Sequence, residues 1–344
     1  MDKILVIHHS RVGLSDNIFA YDSLASYTHL ENMKSELKNA DFISFVYLNK
    51  TPKCIFNNKN LAPWLFHKIP TILIRIPFCF YILIKYDKVI IYHSEGFYFY
   101  FPIFLFFKKK VVLQVNEIYS NVVPNKIKLF FEIKYIKTFQ KIILSNIWLK
   151  ENWFPKKNVI VRGGYFRLNK DKNLVTRPSN TFIYVGSVDE VKMGNLSIVK
   201  NLIETIPENI ELYLCVLTSD DIYQFLINLI IDKPQVRLFR NVKDTYLSDF
   251  YQKCTYGLVL QDSTKPFNLS SFPSKVFSYL NNNVIPIAQN NYSFLHSEVC
   301  DLFCFIDDWN WDSILDNNIT IKDVDHISKK LKEELNNFIN TSVI

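Results

Sequence analysis

The chain opens on a run of apolar residues, "KILVIHH" (3–9), too short for a core helix and of the length of a buried strand. The stretch "DNIFAYDSLASYTHLENMKSELKNA" (16–40) then follows the helical period, and "DFISFVYL" (41–48) returns to strand. Two apolar blocks come next, "IPTILIRIPFCFYILIKY" (69–86) and "GFYFYFPIFLFFKKK" (96–110), each leading into a strand pattern, "DKVIIYHS" (87–94) and "KVVLQVNE" (110–117). A lysine-rich helix over 125–140, the strand "KIILSN" (141–146) and the segment "NVIVRGGYF" (158–166) complete this half.

After a polar linker, "RLNKDKNLVTRPSN" (167–180), the alternation restarts. Strands are expected at "TFIYVGS", "IELYLCVLT", "QVRLFR", "YGLVLQ" and "VIPIAQ". Between them lie the helical stretches "GNLSIVKNLIETI", "DDIYQFLINLII", "DTYLSDFYQKC" and "PSKVFSYLNNN". Strands alternating with helices of this length predict doubly wound parallel sheets, an α/β chain of two Rossmann-like domains facing across a cleft. The expected divisions are 1–172, 173–320 and a C-terminal helix over 321–344.

Charge sharpens this division. Residues 1–172 hold 26 Lys+Arg and 12 Asp+Glu, a net of +14, whereas 173–344 hold 14 and 21, a net of −7. A basic half joined to an acidic half predicts different partners for each, with the basic one favouring lipid headgroups, phosphates or other anions. Neither apolar block makes a convincing membrane span of roughly 20 residues. The first is interrupted by Pro70, Arg75 and Pro77, and the second runs into Lys108, Lys109 and Lys110. They read either as buried helices or as a surface that enters a membrane interface, with Lys126, Lys128, Lys134, Lys137 and Lys141 meeting anionic headgroups. With no leader pattern before Lys3 and no metal-type spacing among the six cysteines, a reduced, cytoplasmic protein is expected, peripheral on the inner face of the plasma membrane. Helix-turn-helix, zinc and RNA-binding patterns are missing, which argues against nucleic acid as a partner.

The chemistry concentrates in "PFNLSSFPSKVFSYLNNNVIPIAQ" (266–289). Pro273 suits a first helical turn, Ser270 and Ser271 are candidate caps, and Lys275 adds a full charge to the helix's positive end. That combination predicts an anion site.

Residues 182–289 resemble the nucleotide-sugar-binding half of GT-B glycosyltransferases, closest to the retaining group called family 4 of bacterial surface polysaccharide synthesis. "FIYVGSVDEVKMGNLSIVKNL" is similar to the family's first strand and glycine loop, with Gly186, Ser187, Lys192 and Gly194 at the donor positions. "VRLFRNVKDTYLSDFYQKCTYGLVLQ" and "FPSKVFSYLNNNVIPIA" resemble the segments that follow. The resemblance implies that Lys192 and Lys275 grip the donor's phosphates. Two glutamates of the family, eight positions apart, are replaced by Ser270 and Ser278, so donor contacts there become neutral and the retaining mechanism does not carry over.

In the first half, three segments end where the cleft is expected. "HHSRVGLSDN" offers His8, His9, Ser10, Arg11 and Gly13, and "YHSEG" offers His93 and Glu95. "VNEIYS" places Asn116 and Glu117 where relatives carry a His–Asp or His–Glu pair. A sugar hydroxyl needs a base during attack, so Glu117, then Glu95, are the candidate catalytic carboxylates, and the histidine segments are candidate acceptor contacts. Gly163 and Gly164 are expected to let the turn between domains bend.

The implied function is transfer of a sugar from a nucleotide-diphosphate sugar to a glycan on a lipid pyrophosphate, in O-antigen or capsule synthesis. The donor is the only small molecule expected, with no cofactor and no metal. The missing glutamates leave a catalytically silent scaffold of a polysaccharide-assembly complex as the alternative.

Overall fold

The structure, a computed structural model, describes residues 3–8, 24–48, 51–56, 59–60, 71–93, 101–118, 126–155, 158–167, 178–190, 194–242, 244–262, 268–269, 271–316 and 324–341. The chain forms two compact units. The first comprises Met1–Arg167, Ser270–Phe272 and Lys329–Ile344, and the second Leu168–Leu269 and Pro273–Ser328.

Unit 1 contains an eight-stranded sheet of β1 (Ile4–His8), β2 (Asp41–Leu48), β3 (Thr51–Phe56), β4 (Lys59–Asn60), β5 (Lys88–Tyr92), β6 (Val111–Val115), β7 (Lys141–Leu144) and β8 (Asn158–Val161). Their spatial order is β4-β3-β2-β1-β5-β6-β7-β8. All neighbours from β2 to β8 pair in parallel, while β3 and β4 add antiparallel at one edge, a hairpin that the hydrophobic pattern did not disclose.

Side chains alternate between the two faces of this sheet. On one face Leu5, Ile7, Val89, Ile91, Val111 and Leu113 share a core with helices α2 (Thr71–Lys85), α3 (Phe101–Phe106) and α4 (Lys126–Ile136). On the other, Val6, Ile90, Val112 and Ile143 pack with α1 (Leu24–Glu36) and the last helix of the chain, Val324–Asn340. Both apolar blocks thus supply helices with a buried side. Pro77 lies inside α2. Among the described residues no helix is long and apolar enough to cross a membrane.

Two buried cations hold the last helix to this unit. Arg162 donates from Nη1 to Leu331 O (2.6 Å), from Nε to Gly164 O (2.9 Å) and from Nη2 to both carboxylate oxygens of Glu36. Lys141 donates to the carbonyls of Phe338, Ile339 and Thr341, which the end of a helix leaves open. Lys141 therefore belongs to β7 and is buried, and is not one of the exposed lysines of the preceding helix. Gly163 is closely packed. A Cβ there would lie 2.6 Å from the Phe272 ring, so the glycine permits close packing.

Unit 2 contains β9 (Thr181–Ser187), β10 (Glu211–Leu217), β11 (Val236–Arg240), β12 (Tyr256–Val259), β13 (Ile285–Gln289) and β14 (Cys304–Ile306), in the order β11-β10-β9-β12-β13-β14. Every pairing is parallel. This is the doubly wound order 3-2-1-4-5-6, whose direction reverses between its first and fourth strands, here β9 and β12. Intervening helices are α5 (Ile147–Trp153), before β8, and in unit 2 α6 (Leu196–Glu204), α7 (Asp220–Leu229), α8 (Asp244–Lys253) and α9 (Lys275–Asn281).

Candidate donor and acceptor sites

In a doubly wound sheet the chain leaves the reversal point toward opposite faces, and a crevice opens at the strands' carboxyl ends. In unit 2 this opening has a visible cause. β9 and β12 stay in register at Tyr256 with Phe182 and at Gly257 with Ile183. Further along, the Tyr279 hydroxyl stands between the strands, accepting from Val185 N and donating to Leu258 O, both at 3.1 Å. A Cβ at Gly257 would meet the Tyr279 ring at 2.5 Å, so glycine is what lets this tyrosine seat.

Beyond the wedge lies Gly186, at φ +148°, a conformation that L side chains rarely adopt. A Cβ there would come within 2.6 Å of Lys275 Nζ and 3.3 Å of the Tyr184 hydroxyl. Lys275 opens α9, and its Nζ sits 4.1 Å from the centre of the Tyr184 ring. Although the residue's stem is partly exposed, the Nζ atom is buried, and among the described residues no hydrogen-bond partner reaches it. Desolvation pushes its pKa down to about 7. Gln261, just past β12, likewise has a buried Oε1 with no partner among the described residues. Buried polar atoms of a folded protein are nearly always paired, so each of these two is a candidate ligand contact.

Asn195 braces the loop above this crevice. Fully buried, it donates from Nδ2 to the Tyr184 hydroxyl (2.7 Å) and to Ser187 O (3.0 Å), and accepts from Asp189 N (3.2 Å). Gly194 precedes it at φ +65° and lines an open depression of about 480 Å³ with Glu190, Lys200 and Asp262. The structure thus brings Gly186, Ser187, Gly194 and Lys275 to the end of β9. Ser278 lies one turn along α9 from Lys275, half-buried. Lys192 and Ser270 lie outside the described residues.

The expected helix cap is not Ser271. That residue falls in unit 1, and the residue preceding α9 is Ser274, which makes no side-chain cap bond. The first amides are already taken, Val276 N by Pro273 O (3.1 Å) and Phe277 N by Ser274 O (3.1 Å). With only seven residues in α9, the positive charge at this place resides chiefly in Lys275.

In unit 1 the polar residues at the strand ends bond to one another. His8 ends β1 and is buried, its ring 4.1 Å from Tyr92 and 6.3 Å from His29. His93 and Glu132 are both buried, with Nε2 and Oε1 2.8 Å apart. Gln114, Asn116, His29 and Tyr165 form a further network. The Asn116 backbone is held by Ser145, whose hydroxyl donates to its carbonyl at 2.6 Å. Glu117, half-buried, follows directly. Glu95, His9, Ser10, Arg11 and Gly13 lie outside the described residues.

Tyr184, Asn195, Gln261 and Tyr279 escaped the sequence reading. Tyr279 carries no local signal, because its partners are 94 and 21 residues away. Gln261 did carry one, a polar residue ending an apolar strand.

Two Rossmann-like units of this winding make the GT-B fold, and solved structures of that fold match nearly the whole chain. AviGT4, a glycosyltransferase involved in avilamycin A biosynthesis, aligns at TM-score 0.59 and 10% identity over 98% of this chain and 97% of its own. HepE of Anabaena, solved with UDP and glucose, aligns at 0.57 and 11% identity over 98% and 100%. The lipopolysaccharide outer core galactosyltransferase WaaB aligns at 0.50 and 13% identity over 98% and 90%. No family model and no curated protein matches the chain.

Proposed function

We propose that this protein is a glycosyltransferase, moving a sugar from a nucleotide-diphosphate sugar to a glycan on a lipid pyrophosphate during surface polysaccharide synthesis. The observation that carries the reading is Lys275, whose buried amine has no partner among the described residues and packs closely against Gly186, where no side chain would fit. A pyrophosphate at this place supplies the missing charge. Lys192, expected beside it, and Lys275 then stabilise the leaving diphosphate without a metal ion. Glu117 takes the proton of the acceptor hydroxyl. The fold shared with AviGT4, HepE and WaaB supports the class of reaction.

The membrane side of the proposal rests on the outer surface of α2, α3 and α4. Their inner residues enter one core, while Tyr81, Ile84, Phe106, Ile127, Phe130 and Phe131 are 57–78% exposed. Exposed lysines are interleaved with them, at 85, 108, 109, 126, 128 and 134. Aromatic residues among ammonium groups suit the headgroup region of an anionic bilayer.

Calorimetric titration with a panel of nucleotide-diphosphate sugars, then transfer assays on a lipid-linked acceptor with and without EDTA, tests the reading. Binding of one donor and EDTA-resistant transfer are expected, with Glu117→Gln lowering turnover more than donor affinity. No binding of any donor sinks the proposal. Binding without transfer favours the silent scaffold, which the serines at 270 and 278 recommend. In flotation assays, Phe130→Ser with Phe131→Ser should weaken attachment to phosphatidylglycerol vesicles, and undiminished attachment overturns that face.

A further inference from the structure

Gln261 lies just past β12 and is 4% exposed, and its Oε1 has no hydrogen-bond partner among the described residues. The alternation of the strand fixes the face it points to. Leu258 and Leu260 enter the core that holds Val199 and Leu202 of α6 and Leu226 of α7. Position 257 faces the other way, since a Cβ on Gly257 would meet the Tyr279 ring of α9. Gln261, four residues further along, therefore stands on the α9 face. Asp262, next in the chain, returns to the α6 side and lines the depression with Gly194 and Leu196.

α9 connects the parallel strands β12 and β13 and so runs back along them, with its first turn toward the carboxyl end of β12. Lys275 precedes Tyr279 by one turn in that direction, as Gln261 follows Gly257. Lys275 Nζ reaches Gly186 at the end of β9, the strand paired with β12. Amine and amide thus come to the same end of the same pair of strands.

Their chemistry differs. A pyrophosphate at Lys275 carries acceptors only and has no proton to give an amide oxygen. A hydroxyl both donates and accepts, and an amide sets one acceptor beside one donor group. Two hydroxyls on adjacent ring carbons match that pair, one donating to Oε1 while its neighbour accepts from Nε2, and they match it with the amide turned either way. In a nucleotide-diphosphate sugar both rings next to the pyrophosphate, the ribose and the transferred sugar, bear such hydroxyls. The base lies one ring further off.

We propose that Gln261 contacts the substrate and selects donors with vicinal hydroxyls on a ring adjoining the pyrophosphate, a role that rests on Lys275 holding that pyrophosphate. Loss of the hydroxyl pair leaves the buried amide unpaired in the complex, so the residue discriminates chiefly by rejecting deoxygenated analogues. Being neutral, it does so without adding charge to a place that must receive a diphosphate.

Calorimetric titration of the full chain tests this, with inorganic pyrophosphate and with UDP, GDP, ADP and CDP, their 2′-deoxy forms and their glucose esters. For the nucleotide that binds, the wild-type protein should show one of two preferences of roughly tenfold. Ribonucleotide over 2′-deoxynucleotide means that the ribose is held, and glucose ester over free diphosphate means that the transferred sugar is held. Gln261→Met keeps the length of the side chain, should leave the melting temperature no lower, and should erase that preference without changing the affinity for inorganic pyrophosphate. If it fails to fold, Gln261→Asn, a shorter amide, should erase the preference as well. Neither preference in the wild-type protein, a preference that survives these substitutions, or an equal loss of inorganic pyrophosphate binding overturns the proposal. Failure of the wild-type protein to bind any of these ligands sinks the pyrophosphate reading and the role of Gln261 with it. Pyrophosphate binding that is lost in Lys275→Met but comes with no hydroxyl preference sinks the role of Gln261 alone.

Discussion

Both sheets wind alike and both carry polar side chains at the ends of their middle strands, yet the two ends are finished differently. In unit 1 His93 is joined to Glu132, and His29 to Gln114 and Asn116. In unit 2 Lys275 Nζ and Gln261 Oε1 are buried with no partner among the described residues. A set of mutually bonded polar groups adds rigidity, whereas an unpaired buried amine weakens the fold until an anion arrives. Unit 1 therefore holds its polar residues by mutual bonds, whereas unit 2 leaves a buried amine and an amide oxygen without partners among the described residues.

The contrast can be broken by mutation. The largest effect is expected in unit 1. Arg162→Met leaves the Glu36 carboxylate buried without its cation and frees Leu331 O, and should cost about 3–5 kcal/mol in urea unfolding. An unchanged midpoint would mean that the pair holds nothing.

In unit 2 the sign should reverse. Lys275→Met removes an amine that has no partner among the described residues, so thermal stability should hold or rise while donor affinity falls roughly ten- to a hundred-fold, the weight of a charge-assisted contact. A variant that unfolds easily and still binds donor would erase the distinction between the units. Tyr279→Phe should cost about 1–3 kcal/mol, because Val185 N and Leu258 O lose their shared hydroxyl.

The last effect is one of pH. With the Lys275 pKa lowered to about 7 in the fold, the unfolded chain keeps a proton that the folded one has released between there and the ordinary lysine value. Stability of the free protein should therefore rise with pH across that window, and Lys275→Met should flatten the rise. Saturating nucleotide-diphosphate sugar should flatten it too, because a bound pyrophosphate returns the proton to the amine. Comparing melting curves of both proteins at several pH values checks this.

Much of the fold was legible because each element announces itself locally. "TFIYVGS" is apolar at strand length, and five of its seven residues are buried. The antiparallel hairpin Thr51–Phe56 and Lys59–Asn60 was not legible, since "TPKCIF" carries a proline and a lysine and its pairing is made by β2. At the site, Gly186 and Lys275 were legible as residues, but the close approach of the lysine amine to the glycine was not.

What the order of apolar and polar residues determined alone is the sequence of strands and helices and the split into a basic and an acidic half. Period and charge are properties of neighbours along the chain, and burial of an apolar side follows wherever the element lands. Tertiary structure alone decided which cations would be spent. Lys141, read as a surface lysine, closes the end of a helix 197 residues away, whereas Lys275 has an aromatic ring and no hydrogen-bond partner among the described residues. Nothing in a lysine's own neighbourhood separates these fates, because the groups that neutralise or strand a charge are brought to it only by folding.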